Sequence, residues 1–275
     1  LDSGVPADAW CPAHRRRPLQ AAAAAGHEAV AALLLERGAV TTTRAFEVAL
    51  LPILAWVPRG HTIHIGVLQL LLDHGADIEE PIHGDIHCGR RCLHNAAISN
   101  AVAVVNFLLD RGAEIDAPTV KGGDTPLHCA ARTSATDGML ALLHRGANTA
   151  ITNLRGETPL HCSPSAGALS VLLDWGADID GRTERDGVSK LMDEAQELRS
   201  NAATISLLLT RGANIAAADA RGYSALLLAA FNIDDDDDDD DVSGFYTYSP
   251  RVVIDGGDVA VCLIMRHSAC LAVPV

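Results

Sequence analysis

Apolar residues in this chain come in short blocks that end on glycine. The blocks are LLLERGA (33–39), LLLDHGA (70–76), FLLDRGA (107–113), LLHRGA (142–147), LLDWGA (172–177) and LLLTRGA (207–213). Each reads as the end of an amphipathic helix, because neighbouring leucines build a stripe and glycine takes the left-handed conformation that closes it. In the first block, Val30, Leu33 and Leu34 share a face at helical spacing. The closing glycines, at 38, 75, 112, 146, 176 and 212, are separated by 37, 37, 34, 30 and 36 residues. A period near that length predicts one helical supersecondary unit per repeat.

A second phrase lies between these blocks: RPLQAAA (17–23), RCLHNAA (91–97), TPLHCAA (125–131), TPLHCSP (158–164), SKLMDEA (189–195) and SALLLAA (224–230). Thr125-Pro126 is a helix start, since threonine caps free amides and proline at the first helical position loses no bond. A glycine precedes most of these phrases (Gly89, Gly123, Gly156, Gly187 and Gly222) and marks a turn. The predicted unit is turn, short helix, loop, longer helix. The T-P-L-H-x-A and T-P-L-H phrases at Thr125 and Thr158, with the leucine-rich G-A endings, resemble the ankyrin-repeat family over roughly residues 15–231. The resemblance implies an all-α solenoid of about seven helix-turn-helix units with short hairpin-like turns. Departures are visible. Pro52 and Pro58 interrupt the first helix of the second unit, Pro164 shortens that of the fifth, and EEPIHGDIHCG lengthens the third turn.

The end of the chain, GGDVAVCLIMRHSA (256–269), aligns with GHEAVAALLLERGA (26–39). It reads as the outer helix of a seventh unit whose inner helix is YSALLLAAF (223–231). Residues 232–255 are then an insertion. It carries Asp234–Asp241, eight carboxylates that repel one another and stay solvated. The expected organisation is an extension over 1–14, repeats over 15–269 and a tail over 270–275.

Composition changes this picture little. Apolar residues make up 48% and aromatic residues only 4%, which suits alanine- and leucine-built helices. The net charge of -14 comes largely from the aspartate run, so no general attraction to nucleic acid is expected. Seven cysteines without a disulfide-framework spacing suggest reduced thiols and a cytoplasmic or nuclear setting. No apolar run reaches membrane-span length.

Among candidate ligands, His83, His87, Cys88, Cys92 and His94 lack the paired short spacing of a zinc site, and DIHC (85–88) lacks the surroundings of an acyltransferase. The aspartate run lacks the spaced ligands of a calcium loop, and Arg15-Arg16-Arg17 is too short for a nucleic-acid patch. No metal or cofactor is expected, and no catalytic motif is present. The resemblance gives His94, Thr125, His128, Thr158 and His161 a structural role. It also places partner contacts at turn tips and inner-helix ends: His87, Arg90, Lys121, Asp124, Leu154, Arg155, Glu157, Arg185, Asp186, Arg221 and Tyr223. The basic members form a row suited to an acidic partner, or an ordinary solvated edge balanced by nearby carboxylates. The expected function is non-enzymatic protein binding by a monomer, through turn tips and the concave inner-helix face that the resemblance implies. The alternative is a targeting or substrate-recruiting piece of a larger ligase or enzyme chain.

Overall fold

The computed structural model describes residues 7, 17–41, 65–82, 89–196 and 202–231. The described residues form eleven helices and no strand beyond isolated bridges. They are α1 (Pro18–Ala25), α2 (Glu28–Glu36), α3 (Ile65–Asp73), α4 (Cys92–Ile98), α5 (Val102–Asp110), α6 (Pro126–Arg132), α7 (Thr136–His144), α8 (Ala166–Asp174), α9 (Lys190–Gln196), α10 (Ala202–Thr210) and α11 (Ala225–Phe231). The chain divides into two compact units, 1–154 and 155–275. The expected helix over 256–269, the insertion 232–255, the extension 1–14, the tail 270–275 and the proline-interrupted helix of the second repeat lie outside the described residues.

The G-A phrase builds a specific helix end. In α5 the Ala113 N–H donates to the Leu108 carbonyl at 3.0 Å and the Gly112 N–H to the Leu109 carbonyl at 3.1 Å. This paired closure requires a left-handed residue, and Gly112 sits at φ 88°. The same two bonds recur at Gly38-Ala39, Gly75-Ala76, Gly146-Ala147, Gly176-Ala177 and Gly212-Ala213. A repeated phrase therefore yields a repeated geometry.

In unit 1 the short helices α4 and α6 pack side by side, and α5 packs beside α7. Leu93, Ala96, Ala97, Leu127, Ala130 and Ala131 are buried between the former, and Val104, Val105, Leu108, Met139 and Leu142 line the latter. The small alanines let helix backbones approach, and the leucines supply most of the apolar area removed from water. In unit 2 one cluster joins Leu191, Met192 and Ala195 of α9, Ile205, Leu208 and Leu209 of α10, and Ala225, Leu228 and Ala229 of α11.

Two local expectations are corrected. In α2 the buried positions are Ala31, Leu34 and Leu35, while Val30 and Leu33 point outward. The segment AVAALLL is apolar on every side, so its pattern leaves the rotation of the helix open, and small Ala31 is the residue that packs inward. The first helix of the fifth repeat is not merely short: residues 159–162 form a turn and no helix. Pro164 has no N–H for the next rung, and Ser165 already caps α8 by accepting from the Ala168 N–H at 3.3 Å.

Neighbouring repeats are tied by a recurring set of polar bonds. In unit 1, Arg111 pairs with Asp73 at 2.9 Å and Arg145 with Asp110 at 2.8 Å; in unit 2, Arg211 pairs with Asp174 at 2.7 Å. One turn further on, a carboxylate accepts a backbone N–H from the following repeat. Glu79 accepts from Glu114 at 2.8 Å, Asp116 from Asn148 at 3.2 Å, and Asp180 from Asn214 at 2.8 Å.

Candidate interaction surface

The turns ahead of the short helices are small hairpins closed by backbone bonds. The Thr119 N–H donates to the Asp124 carbonyl at 2.9 Å, Thr183 to Val188 at 3.0 Å, and Asp219 to Tyr223 at 2.9 Å. A side chain at the first position completes each turn. Thr119 Oγ1 accepts from the Asp124 N–H at 3.0 Å, and Thr183 Oγ1 from the Val188 N–H at 3.1 Å. In the shorter third turn a carboxylate does this work: Asp219 accepts from the Arg221 N–H at 2.9 Å and the Tyr223 N–H at 2.8 Å. Burial opposes ionisation of Asp219, but the bonds from Tyr223 and Arg221 outweigh it and hold the carboxyl below its usual range.

Successive turns also bond to each other. In unit 1 the Val120 N–H reaches the Gly89 carbonyl at 3.3 Å and the Leu154 N–H reaches that of Gly122 at 3.0 Å. In unit 2 Glu184 reaches Gly156 at 3.3 Å and Ala220 reaches Asp186 at 3.0 Å. The close approach needs glycine: at Gly123 (φ 67°) a Cβ would stand 3.0 Å from both the Leu154 nitrogen and its Cγ. Backbone bonds thus hold each of these tips to its neighbour within its unit.

The histidines of the T-P-L-H phrase hold the base of the turns. His94 Nδ1 accepts from the Arg91 N–H at 3.1 Å, and its Nε2–H donates to the Asp124 carbonyl at 3.0 Å, so one ring stitches a helix start to the next turn. Burial drives the His94 pKa down to about 4, against the smaller pull of the Asp124 carbonyl, and keeps the ring neutral as these bonds require. At His128, Nδ1 accepts from the Thr125 N–H at 3.2 Å and from the Thr125 hydroxyl at 2.8 Å. His161 repeats this with Thr158, at 3.2 and 2.8 Å. Burial lowers the His161 pKa too, against the smaller opposing pull of the Val188 and Gly181 backbone. In the first repeat Gln20 takes the histidine's place, its Oε1 accepting from the Arg17 N–H at 2.9 Å.

Four basic residues of the expected row, Lys121, Arg155, Arg185 and Arg221, each follow the tip residue that donates to the preceding turn, and all four are exposed. Arg155 contacts Glu157 at 3.1 Å, and Arg221 contacts Asp219 at 3.1 Å while its guanidinium stands 5.4 Å from the Tyr223 ring centre. Arg185 and Asp186 are exposed, and Arg90 is half-buried beside Gly89. Asp124 faces inward: Arg132 binds it through two bonds at 2.7 and 3.1 Å, and Asn153 donates to it at 2.8 Å. Burial works against its charge, but Arg132 and Asn153 overcome this and lower its pKa. His87 lies outside the described residues, as do His83 and Cys88. No group of three or more metal-ligating side chains occurs among the described residues.

Two features were not read from the sequence. Val120 is 66% exposed at the tip neighbouring that of Leu154, which the sequence did place among the tip residues and which is 64% exposed. Lys190, in the slot that proline occupies at 126 and 159, is buried. Its Nζ meets Glu194 at 2.8 Å and Asp193 at 3.3 Å and donates to the His161 carbonyl at 3.2 Å. Desolvation disfavours this ammonium, yet the Glu194 bond and charge prevail and raise its pKa.

Residues 54–153 match the family model for ankyrin repeats, in three copies. The chain is similar to the human ASB11 ankyrin repeat domain at 24% identity and a TM-score of 0.64, covering 92% of this chain and 98% of that one. It is also similar to the ankyrin repeat domain of Bcl-3, a member of the IkappaB protein family. There the identity is 21% and the TM-score 0.64, over 78% of this chain and 94% of that one. No helix of the described residues is long and apolar enough to cross a membrane.

Proposed function

We propose that this chain, which carries ankyrin repeats and has the ankyrin-repeat fold, is a non-enzymatic module that binds another protein through its turn tips. Ankyrin repeat domains generally mediate protein–protein interaction and are typically non-catalytic. The observation that carries the tip mode is the bonding of turn to turn, which presents exposed side chains on a backbone already ordered. The inner helices offer less. Every residue from Pro126 to Ala131 of α6 is buried, so that helix contributes through its leading end. Lys121, Leu154, Arg155, Glu157, Arg185, Asp186, Arg221 and Tyr223 supply the contacts, with Arg90 at the edge. Asp124 acts from beneath, by fixing Arg132 and Asn153.

The test is affinity capture with the full chain and with tip variants Arg155→Glu, Arg185→Glu and Arg221→Glu that keep the helical circular dichroism of the parent. A protein retained by the parent and lost from these variants supports the tip mode. Identical capture profiles overturn it.

A further inference from the structure

We infer that the apolar end of unit 2, formed by α11 and the loop after α10, is a docking face for residues 259–265 of this same chain, which lie outside the described residues. The leucine of each earlier short-helix phrase is sealed: Leu19, Leu93, Leu127, Leu160 and Leu191 are each 3% exposed or less. Its equivalent in α11, Leu226, is only half-buried. The position after it is buried at His94, His128, His161 and Met192, but Leu227 is 41% exposed. Leu226 and Ser224 also border an open groove against residues 212–216.

Upstream, carboxylates tie the following repeat over this place. Asp110 pairs with Arg145 and Asp116 accepts the Asn148 N–H; Asp174 and Asp180 do the same for Arg211 and Asn214. At the end of unit 2, Thr210 and Ala216 stand in the two carboxylate positions. The face therefore selects an occupant held by apolar burial, not another charge-linked repeat.

The register of the long helices identifies that occupant. Eight, seven and four places before the closing glycine the residues are buried, as Val104, Val105 and Leu108 in α5 and Thr204, Ile205 and Leu208 in α10. The same holds in α3, α7 and α8. In GGDVAVCLIMRHSA, Ser268 takes the glycine's place, so these positions fall to Ala260, Val261 and Ile264. All three are apolar, and no charge lies between Val259 and Met265. Residues 232–255 join the segment to α11. At about 3.3 Å per residue they reach far beyond the ~8–10 Å between packed helices. The tether keeps the segment at high effective concentration, which favours it over a second copy.

Hydrogen exchange of the full chain, read by mass spectrometry, tests this. Amides of 260–267 and of α11 should be protected. In Val261→Asp/Ile264→Asp both should exchange at least about tenfold faster, with α4–α7 of unit 1 unchanged. Val259→Asp should leave both unchanged, since Ala103, Asp137 and Ala203 are exposed at that position. Unprotected amides at 260–267 in the parent, an α11 unmoved by the double variant, or equal loss in Val259→Asp overturns the inference. So does protection of α11 that falls on dilution, for then a second copy is the occupant. Capture through the turn tips is independent of these outcomes.

Discussion

The repeat around His128 and the repeat around His161 start from the same four residues, T-P-L-H, and end differently. Around His128 the phrase opens the helix α6, and Thr125 and the following alanines, Ala130 and Ala131, are fully buried. Around His161 the phrase makes the same Thr–His bonds, but Pro164 stops the chain after one turn. Helical carbonyls then lack donors, and other groups replace them: Ser163 Oγ donates to the Pro159 carbonyl at 3.1 Å, and Lys190 donates to that of His161. An identical motif thus fixes the start of a helix and says nothing about its length. The cost of early termination is met by a buried ammonium from the next repeat, which in turn needs Glu194.

The sharpest way to break this comparison is at Lys190. Lys190→Met should lower the stability of unit 2 by about 3–5 kcal/mol, because it strands Glu194 in the interior. Adding Glu194→Leu should recover most of the loss, and urea unfolding of the two variants checks the coupling. Next comes pH. His94 is depressed from 6.5 to about 4 in the fold, so the unfolded chain binds its proton first as pH falls. Its stabilising effect is complete above pH 6.5 and is lost between about 6.5 and 4, amounting to about 3 kcal/mol. His94→Gln, which keeps an acceptor as Gln20 does, should flatten that slope in a pH series of thermal melts. Smaller is the cap difference. Thr125→Ala should cost about 1–2 kcal/mol, and Thr158→Ala, half-buried at the head of a single turn, about half that, by the same melts. Smallest is Arg211→Ala, whose partly exposed pair with Asp174 should be worth no more than about 0.5 kcal/mol and should fade in high salt.

Much of the architecture could be read from glycine and leucine spacing, because each G-A phrase demands one helix closure and the structure makes that closure six times. A structural role for the T-P-L-H histidines was what the family resemblance implied; His94 bonds to Arg91 and Asp124, and His128 to Thr125. The rotation of α2 was not legible, since an all-apolar segment has no preferred face. Lys190 was hidden for a different reason. A lysine in a sequence reads as surface, and only the missing donors after Pro164 create a buried place for it. At the tips, the register implied by the family resemblance put Asp124 among the partner contacts. What turns it inward is Arg132, eight residues away on the far end of α6. The Asp–Arg links between repeats had a signal, an aspartate before one closing glycine and an arginine before the next, but pairing them requires knowing that helices one period apart are neighbours.

Those links have an evolutionary corollary. Asp73 with Arg111, Asp110 with Arg145 and Asp174 with Arg211 are the same plug and socket, as are the carboxylate-to-amide bonds from Glu79, Asp116 and Asp180. A gene segment encoding one period carries a plug at one border and a socket at the other. Its duplication or loss would leave compatible ends in contact, so such an array can change length without inventing a new junction.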